Sequence, residues 1–460
     1  MTFDRLRTVL LFLAIASTAG LMPAQSDTWW QLRAGHDMWL ARHVLLTDTF
    51  SHTVYGAFWP NHEWLSQILF YALYAAGGMP LLTVASAAVV TGAWAIVWSQ
   101  TPAPTHARFL LTTLVIISAC TTWSPRPGVL SLLLLATTLA LLRQRRYGWL
   151  PAVFWLWANL HGAVVMGVVL LVAALAAALV ERPESVRRLA AFTALSLVAT
   201  VCTPLGLHFW TDIAQSLARI GQLGIDEWAP PRIASLASLP FLLAATALVW
   251  LTAARGRELL RDPEARRNGH ITLCACALAL LPLALSAVRN VPPFVMLAVP
   301  ALAVLVSRQQ NSPGTARAAV ARPHVNRAIA GVAALASAIT LALAYARGFE
   351  HLQWTPLPAA SIASLDTCDG NLYNRYDEGG YLIWFAHGRK VFLDGRQDPY
   401  PPSLIQEQIR VERSGDFRGL FRRYDIRCAY IPADSIVASR LQRAGWTPLY
   451  RDSRWAVLTQ

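Results

Sequence analysis

The length of its charge-free runs constrains this chain more than anything else in the sequence. Trp64 to Ala107 is 44 residues without Asp, Glu, Lys or Arg, and Tyr147 to Val180 is 34. A helix spanning the bilayer needs about 20 apolar residues, so each run has room for paired spans. Of the 460 residues, 55% are apolar and 14% charged, against roughly 25% charged in an average soluble domain. That little charge cannot cover a soluble surface. The expectation is an α-helical multi-pass membrane protein.

The net charge of +13 comes almost wholly from arginine, since Lys390 is the one lysine. The arginines cluster in short hydrophilic breaks, at Arg143–Arg146, Arg182–Arg188, Arg255–Arg267 and Arg308–Arg327, while the intervening breaks hold fewer or mix them with acids. That alternation is the positive-inside pattern and puts the clusters on the cytoplasmic side. Nucleic-acid binding would instead need a basic, aromatic-laced face on a soluble domain, so no nucleic-acid partner is expected.

On this reading the N-terminus is cytoplasmic and Thr8 to Ala24 is an uncleaved first span. Residues 25–62 form a long outer loop. Between His62 outside and Arg143 inside the number of crossings must be odd, yet four apolar stretches are present (64–78, 80–99, 108–122 and 127–142). One lies along the interface, or is re-entrant, or Arg143 is not cytoplasmic; roughly ten to eleven spans result in all. Two domains are expected: a polytopic membrane domain over 1–346 and a small extracytoplasmic α/β domain over 347–460. In the latter, strands are read at Asn371–Tyr376, Lys390–Asp394, Cys428–Ile431 and Trp455–Thr459, with helices at Ser403–Val411 and Ser435–Ala444. Cys368 and Cys428 both fall there, so a disulfide between them is open if that compartment is oxidising.

Three outer segments concentrate polar residues. The first loop carries Ser26-Asp27-Thr28-Trp29-Trp30, then Asp48, then Asn61-His62-Glu63-Trp64-Leu65. A partly desolvated carboxylate just beyond a span could have a raised pKa and take a hydroxyl proton; equally, Asp27 could cap a helix starting at Thr28, with the tryptophans an aromatic belt. Isolated cations mark two helix turns, Arg126 in Ser-Pro-Arg-Pro and Arg289 before Asn290, suiting a lipid phosphate or headgroup snorkelling. His161, in Asn159-Leu160-His161-Gly162, belongs with them or is structural. The third segment is Asp226-Glu227-Trp228, a sugar or cation site or a solvated loop. The histidines and acids of the first loop match no zinc spacing, so no cofactor is assigned and a divalent cation held by carboxylates stays open.

With a cytoplasmic N-terminus, one span, a long outer loop with an acid directly after the span, many further spans and an outer C-terminal domain, the chain resembles the GT-C superfamily. These are integral-membrane glycosyltransferases that take sugars from polyprenyl-phosphate carriers. The resemblance rests on Ser26-Asp27-Thr28-Trp29-Trp30 and Asn61-His62-Glu63-Trp64-Leu65, with Arg126 and His161 fitting less firmly. It implies that Asp27, or Asp48 as second candidate, is the catalytic base or helps hold a metal. It also implies that Arg126 and Arg289 bind the carrier phosphate, while Trp29, Trp30, His62, Glu63 and His161 line the substrate site. The doubled acids common in some branches are missing, since Thr28 follows Asp27.

The implied activity is transfer of a sugar from a polyprenyl-phosphate carrier to an unidentified acceptor on the outer face of the bacterial cytoplasmic membrane. The partners are then a lipid-linked donor, that acceptor and membrane lipids. A transporter or flippase of lipid-linked solutes, which should show internal repeats, and a non-catalytic assembly factor are the rivals.

Overall fold

The computed structural model describes all residues except 224–225, 234, 308–322 and 348–349, so Arg308, Arg317 and Arg322 of the last basic cluster lie outside the described residues. The chain divides into two compact units. A helical unit comprises Met1–Met22, Pro80–Gly206 and Ile225–Arg347, and a mixed unit comprises Pro23–Met79, Leu207–Gly224 and Gly348–Gln460. The structure thus gathers much of the first loop with the C-terminal region.

In the helical unit, apolar sequence forms long helices, three of which keep a proline inside (Pro80, Pro282 and Pro300). Helix α1 (Phe3–Gly20) starts at a Thr2 cap and packs along the helix Pro323–Ala346, where the Tyr345 hydroxyl donates to Gly20 O at 2.9 Å. By length and composition, five helices among the described residues can cross a membrane: Trp64–Gln100, Val164–Glu181, Leu236–Arg261, Val288–Val306 and Pro323–Ala346. Gly128–Arg143 and His270–Ser286 are shorter apolar helices. One buried acid has a structural task here. Glu181 accepts from Ile271 N, Thr272 N and Thr272 Oγ1 at 2.6–3.0 Å, satisfying donors that the start of the helix His270–Ser286 would otherwise leave orphaned.

After α2 (Ser26–Ala41) comes α3 (Trp64–Gln100). It runs through the stretches 64–78 and 80–99 but breaks at Gly77 and Gly78, where Gly78 takes φ 64° and ψ −163°. That conformation is open to glycine and strained for other residues. The part before the break belongs to the mixed unit.

The mixed unit holds a four-stranded sheet ordered β1-β2-β4-β3. Strand β1 (Asn371–Asn374) runs parallel to β2 (Ile426–Pro432), which pairs antiparallel with β4 (Trp455–Thr459), itself antiparallel to β3 (Thr447–Arg451). The parallel pair is joined through the helices Tyr376–Phe385, Pro402–Ser414 and Arg418–Arg423. Two expectations change. Lys390–Asp394 is not a strand: Val391 makes one isolated bridge to Ser51. Thr447–Arg451 is a strand although it holds Pro448, which the sheet tolerates because β3 is an exposed edge.

Cys368 and Cys428 are disulfide-bonded, tying the chain ahead of β1 to β2. Trp30, Met38, Phe50 and Trp59 of the first loop share one core with Leu365, Leu372, Leu382, Tyr430 and Val457. Helix α2 lies against the helix Tyr376–Phe385 so closely that a Cβ on Gly380 would fall 2.2 Å from Ser26 O. Any larger residue at Gly380 would push α2 away.

Candidate functional site

The site in the mixed unit is built on three backbone features: the first turn of α2, the turn leading into α3, and the turn 394–398. Helix α2 begins at Ser26, with Gln25 as its cap and Thr28 Oγ1 accepting from Gln25 N at 3.2 Å. Asp27 therefore sits in the first helical turn and is not the cap, where a carboxylate is favoured by the helix dipole. Trp30 Nε1, one turn on, donates to Asp27 Oδ1 at 3.0 Å. Trp30 itself packs edge-on against Trp59, so a rigid ring aims the carboxylate. Trp29 points elsewhere. It is buried against Tyr74, Trp384 and Phe385.

The entry to α3 is locked by a reciprocal amide pair: Asn61 Nδ2 donates to Gln67 Oε1 at 2.9 Å and Gln67 Nε2 to Asn61 Oδ1 at 2.8 Å. This fixes His62 and Glu63 between them, and the Gln31 side-chain amide of α2 donates to Glu63. Burial holds the Glu63 carboxyl above its usual range. The charges of Asp27 and Asp398 push the same way, against the opposing influence of His62 and Gln31.

The third feature is a buried clamp. Arg396, with a fully buried side chain, reaches Asp394 Oδ2 at 2.7 Å and Asp48 Oδ1 at 2.6 Å. The Tyr400 hydroxyl donates to Asp394 Oδ2 at 2.6 Å, and Asp48 also accepts from Ser51 N and Oγ. Asp48 is thus wholly engaged in scaffolding, and the clamp sets the backbone on either side of Arg396. Before it, Gly395 lies directly against the Asp27 carboxylate. After it, Asp398 accepts from Ser216 Oγ at 2.9 Å and stands 3.9 Å from His62 Nδ1.

Ser216 comes from the helix His208–Leu223, whose His208, Asp212, Ser216 and Arg219 follow a three-to-four-residue spacing along one face. Asp212 interacts with His208, Asp398 and His62, and burial raises the carboxyls of both Asp212 and Asp398. The structure therefore gathers Asp27, His62 and Glu63 with Asp398 and Asp212. Sequence reasoning missed the last two. The polar stripe of 208–219 is a readable signal in the sequence; Asp398 has none beyond its closeness to Asp394 and Arg396.

In the helical unit, the Glu227-Trp228 turn brings the two predicted cations together. Arg126 Nη1 pairs with Glu227 Oε1 at 3.2 Å, and the Arg289 guanidinium lies 4.0 Å from the Trp228 ring centroid. His161 Nδ1 is 2.7 Å from Ser131 Oγ, which also accepts from Trp157 Nε1 at 2.8 Å. His161 thereby joins a polar link between helices. Among the described residues, no three His, Cys, Asp or Glu side chains converge as a metal-ligand set, and no step below is routed through a metal.

No protein-family model matches the sequence, and neither does any curated protein. Solved structures do match. The oligosaccharyltransferase AglB from Archaeoglobus fulgidus, in complex with an inhibitory peptide and a dolichol-phosphate, aligns with 93% of this chain and 69% of its own at TM-score 0.57 and 11% identity. ArnT from Cupriavidus metallidurans, bound to undecaprenyl phosphate, aligns with 98% of this chain and 97% of its own at TM-score 0.54 and 14% identity. The chain shares its overall fold with these two proteins. The match to ArnT spans nearly all of both chains.

Proposed function

We propose that the protein is a membrane glycosyltransferase that moves a sugar from a polyprenyl-phosphate carrier to an acceptor hydroxyl on the outer face of the bacterial cytoplasmic membrane. The observation that carries this reading is the gathering of Asp27, Glu63 and Asp398 in a chain that shares its overall fold with AglB and ArnT. AglB and ArnT were each solved with a polyprenyl phosphate, which supports a carrier of that class here. The Cys368–Cys428 disulfide supports an oxidising compartment for the mixed unit. The arginine distribution supports a cytoplasmic N-terminus. As the domain organisation we retain a polytopic membrane part, with the C-terminal region extracytoplasmic.

In this mechanism Asp27, aimed by Trp30, accepts the proton of the acceptor hydroxyl as its oxygen attacks the anomeric carbon. The bond from that carbon to the phosphate oxygen breaks, and the carrier leaves as polyprenyl phosphate. Glu63, whose carboxyl burial holds above its usual range, stands near Asp27 and takes over the proton that Asp27 accepts. Arg126 and Arg289 are the candidates for neutralising the phosphate, the contribution expected to be largest. Trp29 and Asp48 support the site from the core.

The test is Asp27→Asn in membranes given a labelled undecaprenyl-phosphate hexose. A loss on the order of 10²–10⁴-fold is expected. Unchanged turnover at normal expression would remove Asp27 from the chemistry.

A further inference from the structure

His62 stands between two carboxylates from distant parts of the chain. Its Nε2 is 3.9 Å from Glu63 Oε1 and its Nδ1 3.9 Å from Asp398 Oδ2. Nδ1 also lies 3.1 Å from Pro60 O. A carbonyl can only accept, so the neutral ring carries its hydrogen on Nδ1, and Nε2 turns its lone pair towards Glu63. Among the described residues, charged groups from three elements surround this ring, and Arg396 acts on Asp398 behind it. Glu63 adjoins it, with Asp27 of α2 within electrostatic reach of Glu63. Asp398 comes from the turn 394–398, and Asp212, His208 and Arg219 from the helix His208–Leu223. Asp398 is hydrogen-bonded to that helix through Ser216, and His208 at its start is exposed. Acid, imidazole, acid, acid, imidazole thus lead from the site to solvent.

We propose that His62 relays the acceptor's proton out of the site, from Glu63 to Asp398 and on along the polar stripe of the helix His208–Leu223. The inference rests on the glycosyltransfer reading above, because that reaction leaves one proton on the Asp27–Glu63 pair at each turnover. Nε2 takes the proton from the Glu63 carboxyl, leaving a carboxylate and an imidazolium between two anions. Nδ1 then gives its own proton to Asp398, which leaves the neutral ring with its hydrogen on Nε2, and a flip of the ring restores the hydrogen to the Pro60 side. One proton enters, one leaves, and no electron moves. The 3.9 Å gaps exceed a hydrogen bond by about 1 Å, a distance that one bridging water or closure on substrate covers. Glu63 would be a poor store for the proton, because the next acceptor needs the pair deprotonated.

The relay is needed to reset the site and not for the first transfer. The test is therefore His62→Gln, assayed with a labelled undecaprenyl-phosphate hexose in two regimes. With donor in excess, turnover should fall on the order of 10²-fold and recover on adding imidazole. With protein in excess over donor, the single transfer should fall at least tenfold less than the steady-state rate does. Asp398→Asn should show the same split, and it carries the test if His62→Gln does not fold. Equal losses in both regimes without imidazole rescue, or an unchanged steady state, would overturn the relay.

A second measurement needs no sugar. The protonated-carboxyl infrared band that disappears in Glu63→Gln should titrate about one pH unit higher in His62→Gln, since no imidazole then stands ready to take the Glu63 proton. An unmoved midpoint would deny the coupling. If the wild type transfers no sugar, the glycosyltransfer reading fails, while the infrared result still decides whether His62 and Glu63 exchange charge.

Discussion

Replacing Gly395 with alanine should separate the fold of this site from its chemistry. A Cβ at that position would lie 2.3 Å from Asp27 Oδ1 and 3.6 Å from Trp30 Nε1, where ordinary contact begins at 3.4 Å. The obstacle is the tip of a side chain, so the fold can yield. The Asp27 carboxylate must retreat by about 1 Å, and a displacement of that size can cost on the order of 10²-fold in rate. Two decades correspond to about 2.7 kcal/mol of transition-state stabilisation. The cost in stability should be far smaller. The Trp30–Asp27 hydrogen bond contributes about 1 kcal/mol, and alanine offsets part of that by restricting the unfolded chain. Turnover of a labelled undecaprenyl-phosphate hexose and thermal unfolding of the purified protein should therefore diverge. Gly388→Ala, with nothing within 4 Å of its new methyl, is the control and should match wild type in both. Wild-type turnover in Gly395→Ala would refute the argument that Asp27 must occupy its present position. A collapse of stability together with activity would mean that the turn, not the acid, had been disturbed.

Three further outcomes are expected. Burial raises the Glu63 carboxyl above its ordinary range in the folded state, so ionisation there opposes folding. That penalty is absent below the ordinary carboxyl range and grows as pH rises towards the folded pKa. Glu63→Gln should accordingly melt higher than wild type at pH 7, with the difference closing near pH 4, while losing activity. Opening the Cys368–Cys428 disulfide, which spans 60 positions, should destabilise the mixed unit by about 4 kcal/mol on loop-closure grounds, measured by protease resistance with and without reductant. Arg396→Leu leaves Asp48 and Asp394 buried without their cation and should cost about 3–5 kcal/mol in a denaturant titration.

The sequence displayed what depends on neighbouring residues and concealed what depends on the return of the chain. Charge-free runs announce the apolar helices because their signal is local hydropathy. The division of α3 at Gly77-Gly78 was visible as a glycine pair, but its assignment to two units was not, since 64–78 and 80–99 are equally apolar. Asp27 and Glu63 stood out by their place beside tryptophans and a predicted span. Asp48 looked equivalent, yet its side chain is committed to Arg396, a partner far along the chain that no local spacing reveals. Asp398 was invisible for the same reason in reverse: its role depends on His62 and Ser216, which only the folded mixed unit brings to it. Strand β3 escaped because an exposed edge strand has no buried alternation to read.

The shared core of the first loop and the C-terminal sheet also dictates an order of events during synthesis. Trp30, Phe50 and Trp59 are made among the first residues, whereas Leu372, Tyr430 and Val457, which cover them, are made last. At about 5–20 residues per second the early partners wait tens of seconds for the late ones. Until then, a tryptophan-rich loop has to be kept from aggregation by something else. A ribosome that stops before β2 would release a chain whose helices have been made but whose first loop stays sticky and open to proteases. The C-terminal sheet therefore doubles as a completion check: only a chain translated to its final strands can hide the loop that bears Asp27.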